Sequence, residues 1–140
     1  MPASPGISHD WHLQERLAAL QVTLNSGHYL RLFVNNFVPA PGDDKTKFTE
    51  TAFAGYAPAS LNSDFGTPQQ IGPGNWQISG TSHQWTVTTG TAGPLYGWYL
   101  TDPAGNVRFS FLFAASITIS AGSSLYVQPL IQDWSYSVVP

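Results

Sequence analysis

"LYGWYLTDPAGNVRFSFLF", Leu95–Phe113, decides the fold. Tyr96, Trp98 and Leu100 share one side of the first run, and Phe109, Phe111 and Phe113 share one side of the second. That period of two belongs to extended chain. Between the runs, Asp102–Asn106 supplies Pro103, Gly105 and Asn106, residues that set the dihedrals of a tight reversal. The stretch reads as a β-hairpin.

The same alternation recurs on both sides of it. "HYLRLFV" places Leu30, Leu32 and Val34 on one face and Tyr29, Arg31 and Phe33 on the other, then stops at "NN". Further strands are expected at Trp76–Ser79 and Gln84–Thr89, and a last pair at "SITIS" and "SLYVQPLIQ", joined through "AGS". Short strands separated by Gly, Pro, Asn and Ser turns predict an all-β chain, an antiparallel β-sandwich of jelly-roll or immunoglobulin-like type. "GYAPASLNSDFGTPQQIGPGNW", Gly55–Trp76, reads as a long irregular connection, of the kind that is functional, mobile or held by a partner.

Only the N-terminus departs from the β pattern. "MPASPGIS" has no periodicity and reads as an arm. After it, Leu13, Leu17, Leu20 and Leu24 form one stripe of a short amphipathic helix, opened by Ser8 or Asp10 and ended by Asn25–Gly27. The stripe either packs on the chain's own sheet or docks on a neighbouring subunit. Residues 1–27 are thus expected as arm and helix, and 28–140 as the β-sandwich domain.

Composition narrows the function classes. Of 140 residues only 9% are charged, against roughly 25% in ordinary soluble domains, while 42% are hydrophobic and 14% aromatic. A surface so poor in charge suits a component of an assembly. Five basic residues and a net charge of −3 give no patch for a phosphate backbone, so nucleic acid is not an expected partner. No run of about 18 apolar residues occurs, and no membrane partner is expected. The absence of cysteine removes disulfides, thiolate metal sites and a cysteine nucleophile.

Catalytic constellations are equally thin. His9 and His12 stand three apart with Asp10 nearby, a spacing that lacks a third fixed metal ligand. No serine lies in a G-x-S-x-G elbow, and Asp43 and Asp44 sit beside Lys45 and Lys47 in a Pro/Gly loop, as solvated charges do. "GPGNW" leads into a strand and lacks the helix N-terminus that holds phosphate. The expectation is a protein that is not an enzyme and has no cofactor. Trp76, Trp85, Tyr96, Trp98, Tyr99, Trp134 and Tyr136 either fill core and interface or form a stacking platform for sugars. Tyr99 points away from Tyr96 and Trp98 and is the one expected to face outward.

"KFTETAFAGYAP", Lys47–Pro58, mixes helical and extended signals. Thr46 or Thr49 would cap a single helical turn, with Phe48 and Phe53 inward and Gly55 allowing a sharp exit, so that the segment closes one end of the sandwich. The wider stretch Tyr29–Leu61 resembles a pattern in small structural proteins of tailed bacteriophages, head decoration or tail accessory proteins. The pattern is a strand L-x-L-F-x-N-x-x-x-P, an acidic loop, then F-T-E-A-x-F-x-G-Y-A. It falls on Leu30, Leu32, Phe33, Asn35, Pro39, Phe48, Thr49, Glu50, Phe53, Gly55, Tyr56 and Ala57. Leu95–Ile131 is similar to that family's Y-G-x-Y-V-T-D-x-x-G hairpin and closing strand pair. Thr51 departs from the pattern, and so does Ser123 or Ser124, where an Asp is common.

The resemblance implies a virion component located in the particle. A capsid decoration or cement protein is expected first, contacting major capsid protein or other virion proteins and forming a homo-oligomer, with a trimer favoured. A tail, baseplate or fibre adaptor or receptor-binding module is the alternative, and a carbohydrate-binding β-sandwich module a third. The residues expected to face partners are Leu13, Leu17, Leu20, Leu24, Glu50, Tyr56 and Tyr99.

Overall fold

The computed structural model describes residues 10–134. It contains one helix, α1 (Asp10–Leu24), and nine strands: β1 (Tyr29–Phe33), β2 (Ala59–Ser60), β3 (Gln69–Gly72), β4 (Asn75–Ser79), β5 (His83–Thr86), β6 (Thr91–Thr101), β7 (Val107–Ser120), β8 (Ser124–Val127) and β9 (Leu130–Trp134). Every strand pairing is antiparallel. The expected class, a β-sandwich-like fold of antiparallel sheets with one short helix, is the one observed. The expected arm, at residues 1–8, lies outside the described residues.

The described chain forms two compact units. One joins the chain up to Ser26 to Ser63–Thr81 and to the segment from Gln128 onward; the other joins Gly27–Asn62 to Ser82–Val127. The helix shares its unit with two later segments and is not an appendage. Its unit holds the sheet β3-β4-β9, with α1 against β4 and β9. Leu13, Leu17 and Leu24 are buried and Leu20 is half-buried, as the spacing of one apolar stripe requires. Past α1, Asn25 holds the returning chain: its Oδ1 accepts from the amides of Asp64 (2.9 Å) and Phe65 (2.7 Å), and its Nδ2 donates to Phe65 O at 2.9 Å. The long stretch read as irregular is thus pinned, and it contains β2, β3 and the first residues of β4.

The second unit carries the four-stranded sheet β2-β1-β6-β7 and the two-stranded β5-β8. The Leu95–Phe113 hairpin forms as expected, from β6 and β7. Asp102 organises its turn, Oδ1 accepting from the amides of Ala104 (3.0 Å) and Asn106 (2.8 Å). Those bonds hold the Asp102 carboxyl below its ordinary range, led by the one from Asn106.

The last strand pair differs from expectation. Ser116–Ser120 continues β7 along β6, with Ile117 opposite Leu95 and Ile119 opposite Ala92. Ser124–Val127 pairs instead with β5, and Leu130–Trp134 with β4. Pro129, which has no amide hydrogen for a ladder, separates what reads as one strand into β8 and β9.

Candidate functional site

The segment Phe48–Ala57 is where the motif residues meet. A 3-10 turn at Lys45–Lys47 opens it, capped by Asp44, whose side chain accepts from the Thr46 amide. The cap is therefore Asp44, in place of Thr46 or Thr49; an Asp before a turn offers a carboxylate that the local amides reach directly. Phe48 is buried and stacks on Tyr99 with ring centroids 4.4 Å apart, while Phe33 meets both edge-on. Phe53 is only half-buried, against Tyr56.

From Phe48 the chain runs along the free side of β1. Val34 N donates to Thr49 O at 2.8 Å and Thr51 N to Leu32 O at 3.0 Å, around a bridge between Phe33 and Glu50. It then crosses to the neighbouring sheet of the same unit: Thr88 N donates to Ala54 O at 3.0 Å, and Trp85 Nε1 to Ala57 O at 2.7 Å. The corner read from the sequence is thus a connector of two sheets. Gly55 lies at φ +101°, and a Cβ there would run into Thr86 O, so only glycine fits this close approach.

Glu50 is the polar centre of the connector. Its carboxylate accepts from Arg31 Nη1 (3.1 Å to each oxygen) and from the Tyr56 hydroxyl (2.6 Å to Oε2). Leu32 N donates to the Tyr56 oxygen at 3.2 Å, and Arg31 Nε to Thr101 Oγ1 at 2.9 Å. Burial, then the bond to Glu50, pushes the Tyr56 phenol up from its ordinary value. Arg31, Glu50 and Thr101 line an open cleft of about 300 Å³ together with Lys45, Phe48, Tyr99 and Gly105. Chemically the arrangement fixes the Glu50 carboxylate between a guanidinium and a phenol.

The residues expected to face partners therefore separate. Leu13, Leu17 and Leu24 are core of their own unit, and Leu20 is half-buried. Glu50 and Tyr56 face each other. Tyr99 is a correction: it does point opposite to Trp98, but at 3% exposure it lies under the Phe48 segment, a cover that strand parity does not reveal. Burial, then the Glu50 charge, moves its phenol up to about 12. Trp85 and Trp98 are buried too, so the row of exposed aromatics that sugar stacking needs does not form there. His9, of the histidine pair, lies outside the described residues, as does Tyr136. Among the described residues no group of three His, Cys, Asp or Glu side chains gathers to hold a metal ion, and no helix is long and apolar enough to cross a membrane.

What the sequence reading missed is the exposure of β7. Phe111 is 53% exposed and Leu112 37%, and of the whole strand only Ile119 is buried. Trp11 and Val22 on α1 and Tyr126 on β8 are further large exposed apolar groups. A signal was available: Phe109–Ser120 contains no charge, no proline and no glycine.

No family model, curated protein or solved structure matches the chain.

Proposed function

We propose that the chain is a structural protein of a tailed-bacteriophage virion, a decoration or cement protein that stabilises the head through contacts with major capsid protein and with copies of itself. In this reading it is not an enzyme, uses no cofactor and engages neither nucleic acid nor membrane. The observation that carries the proposal is where the motif falls. Leu30, Leu32 and Phe33 build β1, Asn35 ties Lys47 O and the Thr49 amide, and Glu50, Gly55 and Tyr56 form the connector. These residues set the scaffold, so they support a shared fold, and the assembly role rests on the resemblance to the phage proteins by analogy. The charge-poor surface, with Trp11, Val22, Phe111 and Tyr126 exposed, supports contact with other proteins.

Antibody labelling of purified phage particles, with mass spectrometry of the same preparation, tests it. Label over the head surface is expected. Label at a tail tip would move the protein to the tail, and particles without the chain would overturn the virion role.

A further inference from the structure

The four-stranded sheet treats its two edges differently. On the β1 side, the short β2 and the Thr49–Thr51 segment occupy the backbone groups. On the other side β7, fourteen residues long, pairs with β6 alone among the described strands. An antiparallel strand turns the amides and carbonyls of alternate residues away from its partner, and another extended chain satisfies a row of them best. Edges left in water are ordinarily blunted by charge, proline or brevity. β7 has one charge, Arg108, at its start, and bulges relative to β6 at two places, at Arg108 between Val107 and Phe109 and again between Leu112 and Ile117. Phe109–Leu112 is the straight part, in continuous register with Leu100–Gly97. It bears exposed Phe111 and Leu112, which as sequence neighbours point to opposite faces.

We propose that β7 is the contact between two copies of this chain, which pair antiparallel along Phe109–Leu112 about a two-fold axis at Ser110. A strand that meets its own copy this way has its axis perpendicular to the sheet, which places the axis on a residue. At Ser110 it sets Phe109 opposite Phe111 of the second copy, so aromatic pairs extend the stack of Trp98 on Phe111 (5.9 Å) across the junction. It leaves Leu112 facing the irregular step at Arg108 of the second copy and keeps the two arginines apart. Centred one residue later, the pairing would set Phe111 against itself and lose the two Phe109–Phe111 pairs. Phe109–Leu112 carries no charge to attract a partner of opposite sign, and a copy of itself has the matching length, shape and lack of charge. The paired stretch is only about 13 Å long, so the contact is smaller than the roughly 1,200 Å² of stable complexes and the dimer is weak. It holds whether or not the virion reading does, because it is tested on the purified chain in solution.

The chain has no cysteine, so a single introduced one reports without background. Directly opposed antiparallel residues have Cα atoms about 4.5–5.5 Å apart, within disulfide reach. Ser110→Cys, on the exposed strand, is expected to form a disulfide dimer under mild oxidation about tenfold or more faster than Gln84→Cys, an exposed control on β5, because pairing raises the local thiol concentration. Adding Phe111→Lys should remove that excess, with unchanged circular dichroism showing that the fold persists. Sedimentation of the wild type at rising concentration should show a monomer–dimer equilibrium. Equal trapping of Ser110→Cys and Gln84→Cys, trapping unaffected by Phe111→Lys, or sedimentation as a trimer would each overturn the proposal.

Discussion

The Tyr56 hydroxyl donates to Glu50 Oε2 at 2.6 Å and accepts from the Leu32 amide, so one phenol ties the connector to the backbone of β1. Removing it strands a backbone donor and leaves the carboxylate one partner short. Tyr56→Phe is expected to lower unfolding free energy by about 1–3 kcal/mol, the cost of unpaired groups with restricted access to water. Urea denaturation at neutral pH measures it. A variant as stable as wild type would mean that water replaces the phenol at no cost.

Gly55 and Phe53 test the same connector sterically. Gly55→Ala needs a positive φ and also pushes a methyl against Thr86 O, so it should cost about 2 kcal/mol or more, and Gly55→Val more again. Phe53, half-buried, should lose only about 1–2 kcal/mol on truncation to Ala, less than the 3–5 kcal/mol of a fully buried ring. The ranking of the two melting temperatures, Gly55→Val below Phe53→Ala, is the readout.

How far the sequence alone reaches can be seen in particular residues. The hairpin and the helix stripe were legible because their signals are local: Leu95–Phe113 alternates around its own turn, and Leu13, Leu17 and Leu24 repeat at helical spacing. Pairings between distant segments were not. β5 meets β8 with Trp85 opposite Leu125, and nothing in "SLYV" distinguishes that partner from the adjacent "SITIS". The candidate site divides the same way. Strand parity places Tyr99 on the face opposite Trp98, but the cover over that face arrives from Phe48, a tertiary contact. Glu50 and Tyr56 are visible as motif residues, while their mutual bond depends on the chain folding back between them.

Asn25 should behave as a clamp. Three of its hydrogen bonds hold Asp64 and Phe65, and Gln21 Nε2 adds a bond to Phe65 O at 3.1 Å. Asn25→Ala leaves two amides without their acceptor and should cost about 2–4 kcal/mol. Hydrogen exchange would localise the effect: faster exchange at Asp64 and Phe65, with Leu32 and Tyr99 protected as in wild type. Uniform acceleration would argue against a local clamp.

Alkaline titration offers the last test, through Tyr99. Its phenol moves from an ordinary 10.0 to about 12 in the folded chain, because burial and the Glu50 carboxylate both disfavour the phenolate. A raised folded pKa means that, in this window, the unfolded chain releases a proton the folded chain keeps. The associated stability is complete below pH 10 and is lost as pH climbs towards 12. Tyr56 acts in the same direction. Tyr99→Phe cannot titrate, so its stability should fall less steeply between about pH 9 and pH 11 than that of the wild type, whatever its value at neutral pH. The lysines titrate in both proteins and cancel in the comparison. Parallel stability curves for wild type and Tyr99→Phe would show that the phenol ionises as readily folded as unfolded, and that the Phe48 segment does not shield it.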